Sequence, residues 1–389
     1  MISGKIFKKL GAGSSRREAE AFSASQGGKI EIRSKQKLNQ RSLPILYTPG
    51  VAEVCKAIAQ DKKLSFRYTI RKNTVAVVSD GSAVLGLGNL GPEAALPVME
   101  GKSLLFKELG GVDAIPIVLA TQDTEEIIKI VKNIAPTFGG INLEDISAPR
   151  CFEIEERLKK ELEIPVFHDD QHGTAIVVLA GLINALKVVK KDIRKIKVVI
   201  SGVGAAGIAI TKLMIKYGVC DIVLVDSTGI VHKERKTGMN WAKEEIAHIT
   251  NPSGLQGMLK DALQNADVFI GVSAPNIINK THITSMNRDP IIFAMSNPIP
   301  EIDPVEAKKG GARVVATGRS DFPNQLNNVL AFPGIFKGVL DNRIRIITDK
   351  HKIRAAKAIA GLIKKPTADK IIPEALDRKV AKAVSKVFK

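Results

Sequence analysis

The stretch KVVISGVGAAG, residues 197–207, decides the fold. Residues 197–200 are typical of a short buried β-strand, and Gly202, Gly204 and Gly207 follow it in the spacing GxGxxG. Residues 208–217 then have the apolar pattern of a helix, and residues 221–225 form a second predicted strand. This order of strand, glycine turn, helix and strand predicts a Rossmann-like domain that binds a dinucleotide.

Each glycine has a predicted task in holding the cofactor. Gly202 permits the tight turn, Gly204 lets the backbone approach the pyrophosphate, and Gly207 lets the helix pack closely on the strand. Ala205 and Ala206 lie at the start of the helix, whose unpaired N–H groups face the phosphates.

Asp226, directly after the second strand, is placed to accept hydrogen bonds from the adenosine ribose. A carboxylate at this position repels a 2′-phosphate, which favours NAD slightly. Lys233, Arg235 and Lys236 follow soon after and could reach such a phosphate, so NAD and NADP both stay open.

A second α/β unit precedes the fingerprint. Strands are predicted at residues 73–79, 114–119, 140–143 and 165–167, with helices between them at 94–109, 124–134 and 151–161. Strands that alternate with helices of this length predict a parallel sheet. We therefore expect an α/β fold of two domains: an N-terminal parallel α/β domain over residues 1–165, and a Rossmann-like NAD(P)-binding domain with a helical C-terminal segment over residues 166–389. Residues 1–26 match no motif and are a candidate disordered extension.

Charge and composition argue against nucleic acid and membrane partners. The net charge is +18, but residues 1–41 carry +7 and residues 343–389 carry +10, so the motif-bearing body is nearly neutral. Aromatic residues make up only 4% of the chain, too few for a platform on which bases stack. No apolar run reaches the roughly 18 residues that a membrane helix needs. Three scattered cysteines, Cys55, Cys151 and Cys220, indicate a reduced, cytoplasmic setting.

Four carboxylates follow two strands of the first unit. Glu144 and Asp145 come after residues 140–143, and Asp169 and Asp170 come after the strand at 165–167. A single acid here would read as a helix cap, but two adjacent pairs at strand ends favour a metal site. Oxygen ligands of this kind prefer Mg²⁺ or Mn²⁺. His168 is a possible further ligand, although a buried or capping histidine is the commoner case.

Four other polar residues have both an ordinary and a chemical interpretation. Lys102 lies on an otherwise apolar helix and could serve as a base if its pKa were lowered by burial beside another cation. Tyr47 begins a turn and would otherwise be a packing residue. Asn297 and Asn328 lie in segments after predicted strands, where they could hold a carboxylate or carboxamide, or simply form turns.

Taken together, these stretches resemble the malic enzymes of the short bacterial and archaeal type. The similarity covers about residues 27–389 and is carried by seven segments: YTPGVAEVC (47–55), residues 78–107, INLEDI (141–146), PVFHDDQHGTA (165–175), the glycine fingerprint, MSNPIPE (295–301) and SDFPNQLNNVLAFPGIFKG (320–338). The family oxidises L-malate and decarboxylates the product to pyruvate and CO₂, with reduction of NAD(P)⁺ and dependence on a divalent metal. The resemblance also implies a homodimer.

The resemblance implies a role for each matching residue. Glu144, Asp145 and Asp170 would bind the metal, and Asp169 would tune Lys102, the base that takes the proton of the malate hydroxyl. Tyr47 would protonate the enol carbon. Two asparagines would contact the substrate and the nicotinamide end, namely Asn297 and Asn328.

One departure from the larger eukaryotic members concerns the far carboxylate of malate. Those members carry an arginine in the segment that matches residues 80–85, and Ala83 stands at that position here. The far carboxylate is then held by backbone N–H groups of the glycine-rich loop or by another basic residue.

Two alternatives differ in what they require. An amino-acid dehydrogenase also places a lysine-bearing domain before a Rossmann domain, but it needs no metal and leaves the four acids unexplained. A basic nucleic-acid-binding protein on an enzyme fold would use the charged ends of the chain and show a salt-sensitive affinity.

Overall fold

The computed structural model describes residues 16–389, which form two parallel sheets covered by helices. The elements up to the end of the first sheet are α1 (Arg16–Gln26), α2 (Leu43–Leu46), α3 (Gly50–Gln60), α4 (Ser65–Tyr68), β1 (Thr74–Ser79), α5 (Pro92–Leu105), β2 (Asp113–Val118), α6 (Thr124–Ile134), β3 (Gly140–Leu143), α7 (Arg150–Glu161) and β4 (Val166–His168). A π-helical turn, Phe106–Gly110, continues α5.

The first sheet has the strand order β2-β1-β3-β4, and all of its strands are parallel. β1 is buried along its whole length, because helices cover both faces of the sheet, and its sequence TVAVVS has the apolar content that such a strand requires. The four strands predicted for this unit are confirmed within one residue at each end.

The remaining elements are α8 (Asp169–Val189), β5 (Lys197–Ser201), α9 (Ala205–Tyr217), β6 (Asp221–Asp226), β7 (Gly229–Ile230), α10 (Trp241–Ala247), α11 (Leu259–Leu263), β8 (Val268–Gly271), α12 (Lys280–Thr284), β9 (Ile291–Ala294), α13 (Pro304–Lys309), β10 (Val314–Thr317), α14 (Phe332–Asn342), α15 (Asp349–Ala360) and α16 (Arg378–Ser385). The second sheet has the order β10-β9-β8-β5-β6-β7, with only the short β7 antiparallel. This is the doubly wound arrangement that the glycine fingerprint predicts.

Helix α8 connects the two sheets. It begins directly after β4, and its buried residues belong to the same hydrophobic core as residues of β1, β5 and α9. Its length and its mean hydropathy of 1.7 would suffice to cross a membrane, although the sequence predicted no apolar run of that length. However, 67% of its most apolar window is buried inside the protein, as expected for the central helix of a core.

The C-terminal helices pack on the first domain, which changes the predicted division of the chain. Phe332 and Phe336 of α14 pack against Phe106 with tilted and edge-on rings, at ring-centroid distances of 4.7 and 5.3 Å, and Phe336 also packs edge-on against Phe167 of β4. The boundary predicted between residues 165 and 166 is therefore too early, because β4 pairs with β3 in the first sheet. The second predicted domain also contributes side chains to the core of the first.

The N-terminal segment differs from expectation in another way. Residues 16–26, part of the candidate disordered extension, form α1, whereas residues 1–15 lie outside the described part of the chain. Helices α2, α3 and α4 contain no buried residue. We call the side chains that α2 and α3 leave in solvent the exposed N-terminal face; its large hydrophobic members are Leu43, Ile45, Leu46, Val51 and Val54, with Tyr47 between the helices.

Candidate active site

Strand pairing brings the four predicted acids together. β3 and β4 are parallel neighbours, with Leu143 paired to His168, so the residues that follow each strand emerge at the same edge of the sheet. Glu144 and Asp145 follow β3, and Asp169 and Asp170 form the first turn of α8. Ligands of open α/β sheets bind at this carboxyl edge, which is where the side chains are found.

Glu144, Asp145 and Asp170 form a compact group. Each offers one carboxylate oxygen, and these oxygens all lie within 4.8 Å of one another. The Asp145 N–H donates to Asp170 Oδ2 (2.8 Å), and Asn142 Nδ2 donates to Glu144 Oε2 (2.9 Å). Asp145 Oδ2 is buried without a hydrogen-bond partner. A buried, unpartnered carboxylate oxygen beside two further carboxylates fits a divalent cation held by oxygen ligands.

The titration of these acids follows from their burial. Burial raises the pKa of Glu144 to about 7 and that of Asp145 to about 8, and the neighbouring Asp170 carboxylate adds to both shifts. Burial also raises the pKa of Asp170. Three carboxylates this close are stable as anions only beside a positive charge, which supports the same interpretation.

Lys102 lies beside the acids. Its Nζ is 2.6 Å from Asp169 Oδ2 and 2.7 Å from Glu144 Oε1, and it lies 4.4 Å from the centre of the Phe332 ring. Burial alone would lower the pKa of Lys102, but the carboxylates of Asp169, Glu144 and Asp170 outweigh it and raise the pKa. The lowered pKa considered from the sequence is therefore wrong, because the nearest charges are anions rather than another cation.

Asp169 is fully enclosed. Its exposed fraction is 0%, its Oδ2 accepts the bond from Lys102, and its Oδ1 has no partner. Gly173, one helical turn further along α8, leaves the space that this carboxylate occupies: a β-carbon there would lie 1.9 Å from Asp169 Oδ1 and 3.1 Å from Asn328 Cβ. Asn328 is thereby located next to the catalytic pair that Lys102 and Asp169 are predicted to form.

A cavity of about 520 Å³ lies between the two domains. It is lined by Asn297, by Asn327 next to Asn328, and by Leu85, whose backbone hydrogen-bonds to the Asp145 carboxylate. The cavity therefore adjoins the acids on one side and the ends of β9 and β10 on the other. Its size suits a substrate of a few carbon atoms together with one end of a cofactor.

The glycine turn has the geometry that dinucleotide binding requires. Gly202 has φ +109°, and a β-carbon at Gly207 would lie 1.8 Å from the Gly202 carbonyl oxygen. A β-carbon at Gly204 would meet nothing within 4 Å, so this position faces open space. Helix α9 begins at Ala205 with no side-chain cap, which leaves its N–H groups, including that of Ala206, to face a phosphate.

Asp226 ends β6 as expected, but its carboxylate already has cationic partners. Arg235 and Lys243 both contact its Oδ2. Burial opposes the charged form, yet hydrogen bonds from Arg235, Lys243 and Thr228 hold the pKa of Asp226 below its usual value.

Tyr47 is the one predicted catalytic residue that the structure does not bring to the cluster. It lies at the end of α2, and 66% of the residue is exposed. Within residues 16–389, no hydrogen bond or ring contact of its side chain is found. Its role stays a prediction.

Sequence reasoning missed several residues around the acids. Asn142 lies two positions before Glu144 and so shares its side of the backbone, a signal that strand periodicity could have supplied. Glu155 accepts hydrogen bonds from the His168 N–H (3.0 Å) and pairs with His172 Nε2 (2.8 Å) and Lys159 Nζ (2.6 Å), which anchors the start of α8. Nothing local marks Glu155, because it lies on α7. His168 is fully buried, and neither ring nitrogen has a hydrogen-bond partner, although Nδ1 lies 3.8 Å from Asp170 Oδ2.

Comparison with known proteins assigns the family. Residues 27–159 match the model of the malic enzyme N-terminal domain, and residues 171–387 match that of the malic enzyme NAD binding domain. The chain belongs to the malic enzyme family. It is an NAD(P)-dependent, decarboxylating oxidoreductase, and the resemblance stated from its motifs is confirmed.

Individual relatives support this assignment along most of the chain. The NAD-dependent malic enzyme of Geobacillus stearothermophilus is 60% identical over 361 residues, 92% of this chain and 75% of the relative. The bifunctional malic/malolactic enzyme of Bacillus subtilis is 57% identical, over 95% of this chain and 91% of the relative. The crystal structure of the NAD-dependent malic enzyme from Thermotoga maritima superimposes with a TM-score of 0.93 at 52% identity, covering 95% of this malic enzyme and 98% of that chain. The two alternative functions receive no support.

Proposed function

We propose that this malic enzyme converts L-malate to pyruvate and CO₂ at the cluster formed by Lys102 and the four acids. One observation carries the proposal. Lys102 Nζ lies within 2.7 Å of carboxylate oxygens of both Asp169 and Glu144. Glu144 also belongs to a group of three residues whose carboxylate oxygens lie within 4.8 Å of one another. The proposed base, Lys102, therefore contacts Glu144, which is also one of the proposed metal ligands. The base and the metal can thus act on the same substrate hydroxyl.

Glu144, Asp145 and Asp170 are the proposed metal ligands, for Mg²⁺ or Mn²⁺. When bound there, the cation polarises the malate hydroxyl and stabilises the negative charge that develops on that oxygen during decarboxylation. The unpartnered Asp145 Oδ2 and the hydrogen bond that Asn142 donates to Glu144 support this assignment.

Lys102 is the proposed base. The residue is 7% exposed and its Nζ lies over the Phe332 ring, so water has little access to it. A cation bound to the three acids would offset the carboxylate charges that raise the pKa of Lys102, and the neutral amine would then take the hydroxyl proton as hydride leaves the substrate for the nicotinamide. Asp169, bonded to the same Nζ, orients the amine and shares the positive charge. Asn297 and Asn328 supply neutral donors to the substrate carboxylates and to the cofactor carboxamide.

Tyr47 is the proposed acid, and its position supports a homodimer. The side chain lies on the exposed N-terminal face, where five large hydrophobic residues of α2 and α3 are in solvent. An apolar face of this kind needs a covering partner. A second copy packed there would cover that face and carry Tyr47 into the cleft of its partner. The Tyr47 side chain makes no hydrogen bond or ring contact within the described residues, which supports this arrangement.

A cytoplasmic location is proposed because the cysteines are unpaired. Cys55, Cys151 and Cys220 are all free, although two of them are exposed. Free exposed thiols persist in a reducing compartment.

The test compares two matched variants. Glu144→Gln removes one proposed ligand while keeping the shape of the side chain, and Glu125→Gln removes an exposed carboxylate that pairs only with Arg157. With Mn²⁺, malate and NAD⁺, we expect Glu144→Gln to lose at least about a hundredfold in kcat, in the range seen for a lost electrostatic contact to the reacting group. Glu125→Gln should match the wild type. Full activity of Glu144→Gln, or of the wild type after chelation and dialysis, would overturn the proposal.

A further inference from the structure

Glu301 is a buried carboxylate that joins two loops at the carboxyl edge of the second sheet. Its exposed fraction is 0%. Its Oε1 accepts a hydrogen bond from the Ser273 N–H (3.0 Å), in the loop after β8, and its Oε2 accepts one from the Ser296 N–H (3.0 Å), in the loop after β9. β8 and β9 are parallel neighbours, so both loops leave the sheet at the edge where ligands of open α/β sheets bind. One side chain therefore spans the gap between these loops.

The protein holds this carboxylate with backbone donors and without a counter-charge. Among residues 16–389, Glu301 takes part in no ion pair. Burial raises its pKa, and the N–H groups of Ser296 and Ser273 oppose that rise. A buried carboxylate of this kind is stable in one arrangement, because moving either loop away leaves one of its oxygens unpaired. Gly271 leaves the space that the side chain fills, since a β-carbon there would lie 2.3 Å from Glu301 Cδ.

The loop after β8 is fixed against the glycine turn. Ser273 Oγ lies 3.0 Å from Ser201 Oγ, and a β-carbon at Gly202 would lie 2.5 Å from the Val272 carbonyl oxygen. The Gly202 N–H in turn donates to Val225 O of β6 (2.8 Å). This loop is therefore the firm side of the pair that Glu301 joins.

The loop after β9 carries Asn297, directly after Ser296. Asn297 lines the cavity between the domains, and a β-carbon at Gly318 would lie 2.8 Å from its Nδ2. In the part of the chain that the structure describes, the Asn297 side chain makes no hydrogen bond. Its orientation therefore depends on the backbone of its own loop, and the bond from the Ser296 N–H to Glu301 holds that backbone at the adjacent position.

We infer that Glu301 is a positioning residue for Asn297, because it fastens the loop that carries Asn297 to the loop that rests on the glycine turn. Asn297 then presents its amide to the substrate in one orientation. Without this bridge the amide has several orientations, and part of the free energy of substrate binding is spent on ordering it. The inference rests on the proposed function for the role of Asn297, and the experiment distinguishes the failure of one from the failure of the other.

A double-mutant cycle on kcat/KM for malate, at saturating Mn²⁺ and cofactor, measures the coupling. Glu301→Gln keeps the shape of the side chain but replaces one accepting oxygen with an NH₂ group, so it cannot accept from both loops. We expect it to lower kcat/KM for malate about tenfold, the scale of one hydrogen bond to a charged group, mainly through a higher KM. In an Asn297→Ala background the same change should cost less than about twofold, because the residue through which Glu301 acts is gone.

The controls separate positioning from a general structural role. Glu306→Gln removes an exposed carboxylate that pairs with Lys309, and it should match the wild type. Binding of 5′-AMP, measured by calorimetry, should change less than about threefold in Glu301→Gln, because the glycine turn keeps its bond to Val225 O. If Glu301→Gln does not fold, Gly271→Ala displaces the same carboxylate without removing it, and the same coupling to Asn297 is expected.

Three results would overturn the inference. One is a Glu301→Gln variant whose kcat/KM for malate stays within about twofold of the wild type. Another is an undiminished loss in the Asn297→Ala background, since independent sites are additive. The third is a loss of 5′-AMP affinity as large as the loss of kcat/KM, which would indicate a general disturbance of the domain. An unimpaired Asn297→Ala would overturn the proposed role of Asn297 together with this inference, whereas an active Glu144→Gln would bear on the metal cluster alone.

Discussion

Replacing Gly173 by alanine should separate Lys102 from Asp169, the proposed catalytic pair, without substituting either residue. The new β-carbon would lie 1.9 Å from Asp169 Oδ1, whereas ordinary van der Waals contact begins at about 3.4 Å. Asn328 Cβ, at 3.1 Å, closes the opposite side. The Asp169 carboxylate must therefore move by about 1.5 Å, the difference between these contact distances. Its 2.6 Å bond to Lys102 Nζ cannot survive that movement.

The expected loss follows from the displacement. A misplacement of about 1 Å in a catalytic group costs about a hundredfold in rate. We therefore expect Gly173→Ala to lower kcat about a hundredfold in a stopped-flow or absorbance assay of reduced nicotinamide, at saturating malate, Mn²⁺ and cofactor. Binding of 5′-AMP should not change, because the nearest contacts of the new β-carbon are with Asp169 and Asn328 and not with the glycine turn.

Gly101→Ala is the matched control. Gly101 precedes Lys102 in α5, and a β-carbon there would meet nothing within 4 Å. Alanine should stabilise that helix by about 0.5–1 kcal/mol and leave kcat unchanged. If Gly173→Ala kept a kcat within about threefold of the wild type, far short of the loss that such misplacement implies, the proposed coupling of Asp169 to Lys102 would be refuted.

Three further outcomes are expected. Mixing the inactive variants Tyr47→Phe and Lys102→Met under subunit exchange should restore about a quarter of wild-type activity. About half of the dimers are then hybrids, and each hybrid has one complete site of two. No recovery would refute the idea that each subunit donates Tyr47 to the site of its partner. Glu155→Gln should lower the free energy of unfolding in urea by about 3 kcal/mol, since it removes the buried anion that pairs with His172 Nε2 and Lys159 Nζ. A loss below about 1 kcal/mol would contradict the anchoring role. Mn²⁺ affinity should rise with pH and level off above about 8, because protons compete with the metal for Glu144 (pKa about 7) and Asp145 (pKa about 8). A pH-independent affinity would exclude these two residues as ligands.

The carboxylates of Glu144 and Asp145 also determine whether they stabilise or destabilise the metal-free protein as the pH rises. Their folded-state pKa values lie above the ordinary 4.5 and 3.8, so the folded protein binds more protons than the unfolded chain in this range. Their contribution to stability should be largest below the unfolded pKa values and should fall as the pH rises towards about 8. Added Mn²⁺ should reverse that fall, as thermal unfolding at several pH values will reveal.

Local patterns predict the strands of this fold well because each one is an apolar run bounded by turn residues. The acids could be placed together from sequence because parallel neighbours end at one edge of a sheet, as Leu143 and His168 do. That argument needs only the order of the strands in the sheet. β3 and β4 are consecutive in sequence and also adjacent in the sheet, so the order of these two strands could be guessed from the sequence.

Contacts between elements distant in sequence were not predictable in this way. Phe332 lies 230 positions after Lys102 and its aromatic ring has the same local signal as any core residue. The pairing of Lys243 with Asp226 depends on how α10 folds back over the turn after β6, which no periodicity encodes. In the proposed homodimer the exposure of Tyr47 has a different cause, since the surface that covers it belongs to the second subunit.

The packing of Phe332 and Phe336 against Phe106, and of Phe336 against Phe167, has a consequence for folding during synthesis. The first sheet leaves the ribosome early, but the aromatic rings that seal one of its faces emerge only after the whole second sheet has been made. One apolar face of the first sheet therefore stays partly uncovered until α14 has been translated. Nascent chains halted before residue 332 should bind chaperones and resist compaction of the first sheet, while the second sheet is already complete.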